Sequence, residues 1–322
     1  MNDAAVMQLF LPLYADLRPE DQFQNKQPLL AHYTTIQVLE KILANNEVWF
    51  SNPLFMNDVE ELRFGILQGN ALVINSQGIA NACKTPARAQ LFKNHFTGYF
   101  NKFDNEHVLN TYVFCLSEHD KCDNDGLLSM WRGYGANGNG AAIVFDTAKM
   151  NVVEGSPLII AQVNYDTTAA RIEWINKLLS KFEEILSTAN LPDDKLDLAA
   201  YSLFERIKLF ALFTKHRGFK EEVEWRVVYM PDRDNEKKLE PMFSYLIGSR
   251  GIEPKLRFKV LPIKGLTVDD LSLEKITERI ILGPSISTPI AAATILRMLD
   301  ILNQSGLKSK LRGSTIPFRA IG

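Results

Sequence analysis

"KHRGFKEEVEWRVVYM", Lys215 to Met230, is the stretch on which the fold turns. From Glu222 onward its residues alternate in character. Glu222, Glu224 and Arg226 fall on one side of a period-two pattern, and Val223, Trp225, Val227 and Tyr229 fall on the other. Successive side chains of a strand point to opposite faces, so the alternation predicts a half-buried strand late in the chain. Its apolar side must pack on a core. Its charged side either faces water, where alternating charges guard an edge, or lines a site.

Working outward, strand and helix patterns interleave. "LLAHYT" reads as a short strand. "TTIQVLEKILANN" has apolar residues at Ile36, Leu39, Ile42 and Leu43, with Thr34 or Thr35 as N-cap and Asn45-Asn46 as the stop, and so predicts a helix. "EVWFSNP" is a strand ended by Pro53, and residues 58 to 68 are helical with Asp58 as a cap. Residues 88 to 104 form an aromatic-rich helix. "NTYVFCLSE", "AAIVFD" and "LIIAQVNYD" are strands, and a Gly- and Asn-rich loop around a short helix precedes the second of them. Residues 168 to 214 carry two long helical patterns split by "NLPDDK". After the opening strand come "PKLRFKVLPI", "ITERIILGP", a helix from about Thr288 to Gln304, and "KSKLRGSTIPFRAI". The fold class is α+β, with mixed or antiparallel sheets and inserted helices. Residues 1–27 read as an N-terminal helical extension, and residues 28–322 as one α+β domain with a helical insertion at about 168–214.

Composition narrows the function classes. The chain has 322 residues, enough to bury a full core. Its net charge is -2, so no global basic field draws it to nucleic acid or to an anionic membrane. The N-terminus lacks the basic start of a signal peptide, and no apolar run reaches the roughly 18 residues of a spanning helix. Cys83, Cys115 and Cys122 form no metal pair; they read as free thiols of a cytoplasmic protein. There is no H-x-x-x-H, no C-x-x-C and no G-x-S-x-G, and no metal is expected.

Four motifs carry candidate chemistry. "HYTT" puts His32, with Tyr33 and Thr34, at a strand end. Its imidazole can donate to a ligand hydroxyl, or it can be a core histidine satisfied by backbone. "WFSNPLFMNDVEE" gathers Ser51, Asn57, Asp58 and Glu61 around aromatic residues, though a turn needs Asn, Asp and Pro for backbone reasons alone. In "MWRGYGANGNG", Trp131 and Tyr134 are three apart and on a helix share a face, either as a stacking platform for a flat ring or as a core anchor. Gly135, Gly138 and Gly140 allow close backbone approach or positive φ. In "EEVEWR", one carboxylate can stabilise an oxocarbenium-like centre while the other orients a nucleophile, and Arg226 can hold one ionised or bind a phosphate. Lys215 stands upstream as a further candidate.

Taken as an ordered set, "HYTT", "WFSNPLFMNDVEE", "FCLSE", "MWRGYGANGNGAAIVFD", "VNYD", "K…F…EEVEWRVV" and "ITERIILGP" resemble the bacterial DUF2971 family, a domain of unknown function. A more distant resemblance is to the ADP-ribosyltransferase superfamily, in the order of a first-strand histidine, an aromatic-serine strand and a late Glu-x-Glu strand. That resemblance implies NAD as substrate, with His32 at a ribose, Ser51 as the second-strand polar residue, Trp131 or Tyr134 stacked on nicotinamide, and Glu224 or Glu222 as the catalytic acid. Tyr33, Thr34 and Arg226 complete the implied NAD site. The implied partner is a macromolecular acceptor, protein or nucleic acid, as for a toxin or phage-defence effector. Two other classes stand beside it. One is a metal-dependent nuclease or hydrolase using Asp58, Glu61, Glu222 and Glu224. The other is a non-catalytic nucleotide-binding sensor using Trp131 and Tyr134.

Overall fold

A computed structural model of the chain describes residues 1–17, 22–56, 60–150, 153, 155–248 and 251–318, without the side chains of 60 and 61. Among them the strands are β1 (Leu29–Thr34), β2 (Glu47–Ser51), β3 (Tyr112–His119), β4 (Ala141–Asp146), β5 (Leu158–Gln162), β6 (Asn164–Asp166), β7 (Thr214–His216), β8 (Glu224–Tyr229), β9 (Phe243–Gly248), β10 (Gly251–Lys259), β11 (Thr277–Leu282) and β12 (Leu311–Gly313). The architecture is α+β, and it divides into two units, each assembled from three chain segments.

The helical unit comprises Met1–Gln22, Asn52–Thr111 and Val163–Phe219. It holds the helices Glu60–Asn75, Pro86–Lys102, Thr168–Thr188 and Leu196–Leu212, plus the parallel ribbon of β6 and β7. Threonines start two of the helices: Thr85 Oγ1 accepts from the Arg88 amide, and Thr167 Oγ1 from the Ala170 amide. The predicted break at "NLPDDK" falls between Thr168–Thr188 and Leu196–Leu212. Apolar residues recurring three and four apart bring Phe92 within 5.5 Å of Phe182, and Phe96 within 5.9 Å of Phe204.

The sheet unit comprises Phe23–Ser51, Tyr112–Gln162 and Lys220–Gly322. Its strand order is β12-β11-β4-β1-β3-β2-β10-β9, with β8 on the other edge of β3 and β5 beyond β8. Every pairing is antiparallel except β11 with β12. Strand β3 is the branch point. β8 runs along one of its edges from Tyr112 to Ser117. The other edge is shared: β1 takes Ser117 to His119, and β2 meets it at Val113. Between these two partners the Cys115 carbonyl meets a side chain instead of a strand, with His32 Nδ1 at 3.2 Å.

The two faces of this sheet differ. One carries Leu30, Phe50, Phe114, Leu116, Phe145, Trp225, Leu256 and Ile280, the main apolar core. The opposite face, over β1 and β4, carries Ala31, Tyr33 and Val144, packed against Met130 and Trp131 of the short helix Leu128–Gly133. Towards β2, β3, β8 and β10 the same face turns polar. Gly140 is needed behind it, because a Cβ there would lie 2.1 Å from the Thr34 carbonyl oxygen.

The sequence placed most of these elements. Of the two threonines expected as cap, Thr35 fills the role, and Asn46 ends that helix in the left-handed region at φ 50°. Several readings need correction, among them "LIIAQVNYD", which is not one strand but two, β5 and β6, belonging to different units. Strand β9 was not anticipated, because "FSYLIG" shows no sustained alternation of polar and apolar residues. The strand of the opening stretch begins at Glu224 and not at Glu222.

Candidate functional site: the charged face of the sheet

The start of β8 explains that displacement. Residues Arg217–Glu222 form a 3-10 turn, and Val223 then sits at φ 42°. The left-handed region crowds a β-branched side chain, and such a residue stores on the order of 1–3 kcal/mol of strain. Strand β3 holds the turn from outside. Ser117 Oγ donates to the Glu222 carbonyl at 2.7 Å, and the Glu118 amide donates to the Val223 carbonyl at 2.9 Å. Glu222 therefore stands on a turn, partly exposed, and Glu224 opens the strand.

Glu224 and Arg226 share one face of β8 and are 4% and 3% exposed. They form a two-pronged pair, Nε to Oε1 at 2.8 Å and Nη2 to Oε2 at 3.2 Å. The charged side of the opening stretch is thus neither a solvated edge nor a row of gatekeepers. A second buried pair repeats the arrangement on β10: Lys255 Nζ lies 3.1 Å from Glu253 Oε2 and donates to Ser51 Oγ at 2.9 Å. Ser51 is in register with Lys255 on one side and with Val113 on the other, and Arg226 with Cys115. All of these side chains project from the same face. Two strands separate β10 from β8, so the backbones of the two pairs lie roughly 14 Å apart at the usual strand spacing.

Beside them, Tyr134 ends the helix Leu128–Gly133 and leaves helical geometry at φ −127°. Its hydroxyl donates to Glu222 Oε1 at 2.8 Å, and the residue is 37% exposed. Trp131 does not share that face. It is fully buried, edge-on to Tyr33 at 4.8 Å, and its indole N–H donates to the Asp125 carbonyl at 2.8 Å. A buried indole has no open face on which a ligand ring can stack. Tyr33 is likewise a core residue: its hydroxyl accepts from the Leu127 amide at 2.9 Å, and burial pushes the phenol up to about 12. Thr34 is buried at the end of β1.

His32 and Glu224 are not brought together. Glu224 is in register with Ser117, Ser117 with Ala31, and Ala31 with Val144. His32 is the next residue along and points the other way, with its ring 4.6 Å from Phe114 in the apolar core. The imidazole and the carboxylate lie on opposite faces of one sheet. Desolvation lowers the His32 pKa to about 4, offset in part by the Cys115 carbonyl, so the ring is neutral at physiological pH.

The remaining candidates scatter. Lys215 belongs to the helical unit, on β7, with its ammonium 4.6 Å from the centre of the Phe219 ring. Asn57, Asp58 and the Glu61 side chain lie outside the described residues. Among the described residues, no three His, Cys, Asp or Glu side chains gather closely enough to hold a metal ion. Ser117, Glu253 and Lys255 were not singled out from the sequence. The signal for the last two was present, because "IEPKLRFK" alternates charged and apolar residues as the opening stretch does.

The family model described as "Protein of unknown function (DUF2971)" matches residues 130–227. That segment is under a third of the chain and includes Tyr134, Glu222, Glu224 and Arg226, while His32 and Ser51 fall outside it. No curated protein and no solved structure matches the chain.

Proposed function

We propose that the protein transfers ADP-ribose from NAD, working at the corner where Tyr134 meets Glu222. The observation that carries this reading is an exposed aromatic ring hydrogen-bonded to a partly exposed carboxylate, with a second, buried carboxylate two residues on. A nicotinamide ring laid on Tyr134 would bring its ribose against Glu222. As the bond from the ribose C1′ to the ring nitrogen lengthens, its electron pair leaves with nicotinamide, and positive charge develops on the ribose. A carboxylate at that point lowers the barrier. An acceptor nucleophile on protein, nucleic acid or water then bonds to C1′ and gives up its proton.

In this reading Glu222 is the catalytic residue because substrate can reach it, and Glu224 is a positioning residue. The Glu224–Arg226 pair fixes the first residues of β8, while Ser117 and Glu118 hold the turn before it, so that Val223 presents Glu222 outward. His32 takes no part, since the sheet lies between it and this corner. The chemistry as described draws on side chains alone.

The test is incubation of the purified chain with NAD and a cell lysate, with free nicotinamide read by mass spectrometry. Glu222→Gln and Tyr134→Ala are each expected to reduce release by about 10²–10³-fold at unchanged thermal stability. Release that persists in both variants would place the chemistry elsewhere. NAD binding without turnover in the wild type would favour a sensor over an enzyme.

A further inference from the structure

On the face of the sheet away from Glu224 lies a cavity of about 120 Å³ that no part of the chemistry above uses. Its walls come from six strands, and four of the lining residues are phenylalanines: Phe50, Phe114, Phe145 and Phe258. Three contacts among them are at ordinary aromatic distances, and the cavity lies beside these rings. Phe114 lies 5.4 Å from Phe50 and 6.4 Å from Phe145, and Phe50 lies 5.8 Å from Phe258. Aliphatic residues of β5 and β8, Ile160 and Val227 among them, complete the wall.

Two hydroxyls reach the lining, and both are already engaged. Thr267 Oγ1 donates to the Leu261 carbonyl and accepts from the Ile263 amide, and Ser156 Oγ accepts from the Leu158 amide. Bound water needs two to four polar partners, and this lining offers it few, so an apolar guest is favoured over water here. The pocket reaches from the main core to a rim where Ile160, Val227 and Val268 are partly exposed, so a ligand can enter it. A sugar, phosphate or charged group would have to shed its hydration here without replacement, which excludes the nucleotide proposed for the other face.

We propose that this cavity is a binding site for a compact, uncharged aromatic group about the size of one six-membered ring. Four phenylalanine rings, joined in a chain Phe145–Phe114–Phe50–Phe258, line the site and offer ring edges and faces to an aromatic guest. A flexible aliphatic chain gains no such contact and loses more rotational freedom on entering. The site is independent of the proposed transfer chemistry, since Phe114 and Val227 point away from the face that holds Cys115 and Arg226.

The experiment uses the full chain and three probes: toluene, n-hexane and phenol. Thermal unfolding of the wild type is expected to shift upward with toluene near its solubility limit, and less with hexane. Phenol, which would bury an unpaired hydroxyl, is expected to give no shift. Ile160→Phe and Val227→Phe, which place a ring in the void, should each remove the toluene shift while keeping the wild-type circular dichroism. Two filling variants are used so that a folding defect in one leaves the other to decide. The proposal is overturned by no toluene shift in the wild type, by a shift that survives in a folded filled variant, or by a larger shift with hexane than with toluene.

Discussion

His32 shows how one side chain can answer a backbone problem. Strand β3 loses its neighbour between Ser117 and Val113, and the imidazole donates to the carbonyl left there at Cys115. A buried C=O without a partner costs of the order of 1–3 kcal/mol. The same burial makes the residue a source of acid sensitivity. The unfolded chain protonates this imidazole near pH 6.5, while the folded chain holds it neutral down to about 4. Unfolding therefore takes up a proton within that window, and stability falls as pH falls, by at most about 1.4 kcal/mol per pH unit. Urea midpoints taken between pH 7 and 4.5 should show a steeper loss in the wild type than in His32→Gln, whose amide can still donate to Cys115. Parallel curves would assign the acid sensitivity to other groups, His119 among them. Glu224 and Arg226 make the complementary case. Neither charge is accessible, so Arg226→Met is expected to cost about 3–5 kcal/mol in chemical denaturation, and the double variant with Glu224→Gln to recover part of the loss. A cost below 1 kcal/mol would mean that the guanidinium contributes little at this position.

At the scale of the element, β8 is shaped by its first turn. The alternation of the opening stretch correctly named a strand and its buried apolar side, but it extended the strand back by two residues. Periodicity cannot register a residue that folds back at φ 42°. Val223→Gly removes the Cβ clash and adds chain entropy to the unfolded state, leaving an expected net gain of about 1 kcal/mol. If strain presents Glu222, the same variant should lose nicotinamide release while its melting temperature rises. A rise in both would show that the strain is incidental. Strand β9 ends the path of the sheet with no charge along Phe243–Gly248, and on the hairpin it forms with β10, Tyr245, Ile247 and Ile252 are exposed on one face. Bare apolar edges pair with one another. Ile247→Lys is accordingly expected to reduce concentration-dependent light scattering without lowering the urea midpoint, and unchanged scattering would clear this edge of blame.

At the scale of the whole molecule, the chain crosses between its two units several times, so neither unit is contiguous. The fragment 112–322 lacks β1 and β2, and with them both partners on one edge of β3. It is expected to show no cooperative thermal transition by circular dichroism, whereas a sharp transition would mean that β3 and β8 nucleate a stable sheet alone. The features legible in the chain alone were local: a helix start at Thr34 or Thr35 and another near Thr288, strands in several short apolar segments, the α+β class, and two carboxylates two residues apart on one late segment. These features depend on neighbours within a few positions, and hydrophobic periodicity and capping chemistry report them directly. Long-range packing set the rest: His32 and Glu224 face away from each other, Trp131 is core while Tyr134 is surface, and Glu253 and Lys255 join the charged face. The physical reason is the two-residue period of the strand. A single step in register carries a side chain from one face of the sheet to the other, and register across β1, β3 and β8 is set by long-range pairing that no local pattern encodes.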